Sequence, residues 1–286
     1  MRLWIIGKNG MLAKAFQRIC KKEGIDFIST SKKEVDISQS TDVQAQFETL
    51  SFSHIINCSG YTAVESAEKS KEQAHLLNVQ SVENLARLSS IYKKKLIHFS
   101  TDYVFDGGKG LPYTEEDECN PLSIYGKTKR EGEEKLLTLC PEACLIRTSW
   151  LFGKEGNHFV KTMMKLMKEK ESIQIVSDQV GKPTFCDDLV RATLTLLEQR
   201  GVFHIANRGE VSWHEFATEI YQCMKRKNIP MNCREILPIK AKEYGTIAPR
   251  PPYSVLSTVK FEKQGKFSLR SWKECLDEVV GGYHVS

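Results

Sequence analysis

A chain of 286 residues with 41% hydrophobic and 27% charged residues and a formal charge of +5 can build one large or two unequal domains, and it falls outside the collagen-like, disordered and membrane classes. Nine cysteines, odd in number and scattered from Cys20 to Cys275, exclude a disulfide framework and read as reduced thiols. The opening MRLWIIGKNG has too short an apolar run before Gly7 for a signal peptide or a span, so a cytoplasmic location is expected, with no membrane partner. The basic residues are dispersed, Lys93 to Lys95 being the densest run; this reads as a solvated face with no nucleic-acid patch, and phosphates are the natural acidic partners.

Apolar runs of strand length recur at Leu3 to Ile6, Phe27-Ile28, Ile55-Ile56, Leu96 to Phe99, Cys144 to Ile146 and Ile173 to Val176. Between them lie stretches with helical spacing, such as Leu12, Phe16 and Ile19, or Leu76-Leu77, Val79, Val82, Leu85 and Leu88,. Strands alternating with helices predict an α/β fold, a doubly wound parallel sheet covered on both faces. After about residue 200 the rhythm loosens into a short strand at Val202 to Ile205, a helix opened by the capping pair Ser212 and Glu215, and a proline-rich loop from Ala248 to Pro252,. The expected division is 1–152 plus roughly 172–200 for a nucleotide-binding domain, and roughly 153–171 with 201–286 for a smaller C-terminal lobe that binds substrate.

The first strand ends in Gly7-Lys8-Asn9-Gly10-Met11-Leu12-Ala13 and runs into a helix, the setting in which a glycine-rich loop means dinucleotide binding on a Rossmann-type sheet. Gly7 permits the tight turn, Gly10 lets the backbone approach a pyrophosphate, and Ala13 allows helix to pack on strand. The end of the second strand, Ser29 to Lys33, has no acidic residue for the adenosine ribose. The hydroxyl of Ser31 and the ammonium of Lys32 suit a 2′-phosphate, which favours NADPH slightly over NADH.

Tyr125 and Lys129 are one helical turn apart in Tyr125-Gly126-Lys127-Thr128-Lys129, and so share a helix face. A lysine beside a phenol favours the phenolate, which predicts a lowered pKa for Tyr125 and a proton donor usable near neutrality. Thr101, at the carboxyl end of the strand Leu96 to Ser100, is placed to donate to a substrate carbonyl and completes a Thr101, Tyr125, Lys129 trio,.

Carried by these residues, the sequence resembles the extended short-chain dehydrogenases/reductases and looks most like dTDP-4-dehydrorhamnose reductases. The match continues through Asp36-Ile37, Asn57-Cys58-Ser59-Gly60, Thr62-Ala63-Val64, Ser100 to Phe105, Arg147 to Trp150, Gly156 to Phe159, Asp178-Gln179, Pro183-Thr184, Arg250-Pro251 and Ser254. The resemblance implies that Gly10, Met11 and Leu12 line the pyrophosphate and that Asp36 and Ile37 bracket the adenine. It places Cys58, Ser59, Gly60, Tyr61, Thr62 and Ser100 with the cofactor, and lets Lys129 hold the nicotinamide ribose. Val64, Thr101, Asp102, Tyr103, Trp150 and Arg250 are implied contacts of a dTDP-sugar. The implied reaction is hydride transfer from NADPH or NADH to C4 of dTDP-4-dehydro-L-rhamnose, with Tyr125 protonating the oxygen. A reductase of another 4-keto sugar nucleotide is one alternative, and a NADP-binding regulatory subunit similar to methionine adenosyltransferase beta is another; Trp150 favours the reductases.

Two departures from the family pattern stand out. Asn57-Cys58-Ser59-Gly60 replaces an alanine-rich segment, a change expected to alter packing, and Val255 stands where an arginine often follows Ser254. Other residues have plain readings: Cys140 and Cys144 as packed thiols with no metal, His98 as a satisfied core residue, Met163, Met164 and Met167 as core filler, and Glu65, Glu68 and Glu72 as a solvated helix face,. The resemblance leaves magnesium open, and a monomer or homodimer equally so.

Overall fold

The computed structural model describes residues 1–264 and 267–282. Six parallel strands form its central sheet in the order Gly201–His204, Cys144–Thr148, Lys95–Thr101, His54–Asn57, Arg2–Ile6, Asp26–Thr30. In Arg2–Ile6, Leu3 and Ile5 pack on one face while Trp4 and Ile6 pack on the other, and none is more than 3% exposed. Burial on both faces is why that strand reads as an unbroken apolar run. Helices Met11–Glu23 and Cys186–Leu194 cover the first face through Phe16, Ile19 and Leu189. Helices Ser40–Thr49, Ser81–Ile91 and Ile124–Leu139 cover the second through Phe47, Leu85 and Leu136.

The chain leaves Arg2–Ile6 toward one edge and returns to build His54–Asn57 on the other side. The carboxyl ends of those two neighbours thus flank the crevice where open α/β sheets take ligands.

Two strands differ from the expected division. Ser172–Val176, expected with the nucleotide-binding sheet, pairs in parallel with Glu235–Ile239 apart from it. Gly201–His204, expected in the lobe, is the edge strand beside Cys144–Thr148. The burial pattern gives the reason: Ser172 and Gln174 are exposed, leaving a strand with one wet face, which a sheet covered on both sides does not take,.

A separate apolar core gathers Phe152, Val160, Phe216, Ile220, Trp272 and Leu276, and Met163, Met164 and Met167 belong to it as expected. The capping box opening Trp213–Arg226 is formed: Glu215 N donates to Ser212 Oγ at 3.2 Å and Ser212 N donates to Glu215 Oε2 at 2.8 Å,. All nine cysteines are unpaired. Among the described residues, no helix is long and apolar enough to cross a membrane.

Candidate active site

Gly7 has φ +89, and a Cβ there would lie 3.2 Å from the Cys58 carbonyl carbon and the Ser59 nitrogen. Only glycine lets the first loop pass this close to the end of His54–Asn57. Gly10 N donates back to Gly7 O at 2.8 Å, and Gly10 begins helix Met11–Glu23 without a side-chain cap. The first amides, at Met11 and Leu12, thus open onto the loop as anion donors at the positive end of the helix. Ala13 is fully buried. Ser100 Oγ and Thr148 Oγ1, at the carboxyl ends of adjacent strands, are buried without hydrogen-bond partners. An uncapped helix start, a close-packed glycine loop and hydroxyls wanting a partner all fit a dinucleotide.

At the adenosine end, Ser29 to Lys33 holds no acidic residue, but the next residue, Glu34, folds back onto Ser31. Glu34 Oε2 accepts from Ser31 N at 2.8 Å and Ser31 Oγ at 2.7 Å, while its Oε1 accepts from Lys8 Nζ at 2.9 Å. The Ser31 hydroxyl and amide, with Lys8, hold this carboxyl down at about 2. Lys32 faces Asp36 at 3.7 Å, and Asp36 Oδ1 accepts from Ser38 N and Oγ at 3.0 and 2.8 Å. Ile37 is buried, and its carbonyl accepts from Asn84 Nδ2 at 3.1 Å.

Helix Ile124–Leu139 is fixed at its start by Ser123, whose Oγ accepts from Gly126 N at 3.1 Å,. Tyr125 stands in its first turn and Lys129 in the next. Thr101 Oγ1 accepts from Tyr103 N at 3.1 Å, donates to Asp102 Oδ1 at 3.1 Å, and lies close to the Tyr125 phenol. The fold therefore brings Thr101 and Tyr125 together. Lys129 lies deeper, 5% exposed, its Nζ donating to Phe99 O at 2.6 Å and facing His98 Nε2 at 3.2 Å.

The expected acidification of Tyr125 is overturned. Burial pushes the phenol up to about 12, with the Thr101 hydrogen bond opposing, and burial draws Lys129 down to about 8 against the pull of Glu133. Desolvation penalises the charged form of each group, so it moves acid and base in opposite directions. The phenol keeps its proton through neutral pH, as a proton donor must. Asp102, 2% exposed, is pushed up to about 7 by burial despite the hydrogen bond from Ser254 Oγ at 2.5 Å.

Several residues here escaped the sequence reading. Asn78, fully buried in the π-helical turn Leu76–Gln80, accepts from Tyr61 N at 2.9 Å and donates to Tyr61 O at 3.2 Å and Thr128 Oγ1 at 3.1 Å. It ties the Gly60-Tyr61 loop to the residue preceding Lys129, and a π-turn at such a place is common in functional sites. Its one signal is a polar residue amid the apolar run Leu76-Leu77-Asn78-Val79.

Trp150 adopts φ +47, unusual for a bulky residue, and stacks on Trp213 with ring centroids 3.4 Å apart and planes 7° apart,. Trp213, Phe159, Thr162, Tyr244 and Arg250 line a cleft of about 280 Å³. Tyr103 packs its ring edge-on to Tyr125, centroids 5.9 Å apart, and lies near Arg250.

The solvated-face reading holds for Glu72, which is exposed, and fails for its neighbours. Glu65 pairs with Arg250 at 2.6 Å and accepts from Ile247 N at 2.9 Å, and Glu68 accepts from Ile124 N at 2.8 Å. Val64, half-buried, adjoins this pair, while Thr62 is exposed. Ser59 does more than alter packing, since its hydroxyl donates to Asn57 Oδ1 at 2.6 Å. Val255 is buried and its carbonyl accepts from Tyr113 N at 2.7 Å. Among the described residues, no group of three or more His, Cys, Asp or Glu is placed to hold a metal.

The RmlD substrate binding domain family matches residues 1–285. The dTDP-4-dehydrorhamnose reductase of Aggregatibacter actinomycetemcomitans is 33% identical over 287 residues, covering 97% of this chain and 98% of that protein. The spore coat polysaccharide biosynthesis protein SpsK of Bacillus subtilis is 36% identical over 280 residues, covering 98% of this chain and 96% of that protein. Among solved structures, the dTDP-4-dehydrorhamnose reductase of Bacillus anthracis in complex with NADP is 37% identical with a TM-score of 0.91, covering 97% of this chain and 98% of that one.

Proposed function

The chain belongs to the RmlD substrate binding domain family, and on that footing we propose that it reduces dTDP-4-dehydro-L-rhamnose to dTDP-L-rhamnose with NADPH or NADH. The observation that carries the reading is Thr101 ending a central strand beside Tyr125, with Lys129 buried one turn along the Tyr125 helix, within a chain alike to such reductases along nearly its full length. We take the six-stranded sheet and its helices as the cofactor-binding unit, and the cleft by Trp213 and Arg250 as part of the substrate lobe.

A bound nicotinamide supplies the hydride. Thr101, its Oγ1 held by the Tyr103 amide, would turn its hydroxyl proton from Asp102 to the keto oxygen when substrate binds, and Tyr125 donates its phenolic proton to that oxygen as charge develops on it. The loop Gly7 to Leu12 would hold the pyrophosphate, and Asp36 with Ile37 the adenine. At the ribose, Lys8, Lys32 and Ser31 support a 2′-phosphate while Glu34 supports free hydroxyls, so use of both cofactors follows. Trp150, braced by Trp213, and Arg250 would contact the sugar nucleotide.

The test is incubation with dTDP-4-dehydro-L-rhamnose and each cofactor, with the product identified by NMR. Tyr125→Phe is expected to lower kcat by about 10²–10⁴-fold. Unchanged turnover in that variant, or failure of the parent to consume the substrate, would refute the assignment.

A further inference from the structure

The buried polar chain behind Lys129 has one orientation that satisfies its donors. The backbone N–H of Ser59, which can only donate, and the Ser59 hydroxyl reach Asn57 Oδ1 at 3.1 and 2.6 Å. Asn57 therefore turns its NH₂ group toward His98 Nδ1, 3.0 Å away. A ring nitrogen that accepts carries no hydrogen, so the neutral imidazole holds its hydrogen on Nε2. That N–H points at Lys129 Nζ, 3.2 Å away. An ammonium has three donors and no acceptor. When Lys129 is charged, donor meets donor; when it is a neutral amine, the two groups form a hydrogen bond. The other ring tautomer moves the conflict to Asn57, and turning Asn57 over sets its NH₂ against the Ser59 amide. Asn57 and His98 are each 1% exposed and Lys129 is 5% exposed, so solvent does little to relieve the mismatch.

We propose that Asn57 and His98 form a positioning element that favours the neutral amine of Lys129 and so lowers the pH at which its ammonium gives up a proton. The proposal rests on the reductase reading above. On deprotonation an N–H bond of Lys129 breaks and its proton passes to solvent. His98 Nε2–H then donates to the amine. The other groups facing Lys129 do not bring about this bias. Phe99 O accepts from Nζ in either form, and Glu133, one turn along the same helix, favours the ammonium but is itself paired with Arg147 at 2.7 Å. Burial acts in the same direction as His98, drawing the lysine down to about 8.

Two variants separate this from a structural role. Asn57→Asp keeps the side-chain shape but accepts from His98 Nδ1–H, freeing Nε2 to accept from the ammonium, and His98→Gln can offer a carbonyl oxygen at the same place. Each is expected to move the basic limb of the kcat–pH profile upward by about one pH unit or more. A merely structural loss lowers kcat at every pH and leaves the limb where it was, and that result in both variants overturns the proposal. The parent protein gives a second readout that needs neither variant nor substrate. With isotope-labelled histidine, NMR is expected to show His98 as the Nε2–H tautomer at neutral pH, and the Nδ1–H tautomer overturns the proposal. Because the tautomer is read without turnover, its failure is distinct from failure of the reductase assignment.

Discussion

The carboxyl of Asp102 is lifted by burial from 3.8 to about 7, although Ser254 and Thr101 both donate to it. Between those values the folded chain holds a proton that the unfolded chain has released. Its contribution to stability is therefore full below about 4 and is lost as pH rises through about 7,. Asp102→Asn removes the titration, so the variant should gain on the parent in unfolding free energy between pH 5 and 8, by on the order of 2 kcal/mol. A difference that does not change with pH would contradict the burial argument. At the other end of the crevice, Glu34 occupies the Ser31 amide and hydroxyl and the Lys8 ammonium. Glu34→Gln removes a negative charge from beside the adenosine ribose, and is expected to raise kcat/KM for NADPH over that for NADH by about tenfold. Steady-state kinetics with both cofactors checks it; an unaltered ratio would place Glu34 away from the cofactor.

Helix Ile124–Leu139 depends on close approach as much as on its cap. A Cβ at Gly132 would lie 2.0 Å from Asn78 O, a backbone atom of the π-turn that cannot swing aside. Gly132→Ala should therefore destabilise the chain by about 1–3 kcal/mol in denaturant unfolding, and lower kcat as well, because Asn78 holds both the Tyr61 loop and Thr128. Full activity in that variant would mean that the helix can shift without disturbing Lys129. The features legible in the sequence are those contained within one element or one turn: the glycine loop, the spacing of Tyr125 and Lys129, and the Ser212 and Glu215 cap. Those it concealed are tertiary. Glu34 lies only a turn beyond Ser31, yet its carboxylate returns to it through side-chain geometry. Asn78 and Trp213 acquire their roles from partners more than fifteen and sixty residues away in Tyr61 and Trp150. The strands Ser172–Val176 and Gly201–His204 are short runs whose partners, not their own patterns, decide which sheet they join,.

Across the whole molecule, the C-terminal segment is stitched into the sheet side by polar contacts. Ser254 Oγ donates to Asp102, Tyr113 N donates to Val255 O at 2.7 Å, Ser257 N donates to Tyr113 O at 2.7 Å, and Lys260 Nζ donates to Val202 O at 2.7 Å. Arg250 reaches Glu65 in the helix that follows the third sheet strand. These links join the cleft at Trp213 and Arg250 to the strand ends that carry Thr101, so neither part should melt alone. Calorimetry is expected to show one cooperative transition, and both NADPH and dTDP should raise that same transition. At about 100 times its Kd, each ligand contributes about 2.7 kcal/mol. Bound together they should shift it further than either alone. Two separate transitions, with dTDP moving only one of them, would show that the lobe folds independently and that its polar links to Asp102 and Val202 do not couple it to the sheet. A protein that responds to NADPH and ignores dTDP would instead favour the cofactor-binding regulatory role over the reductase.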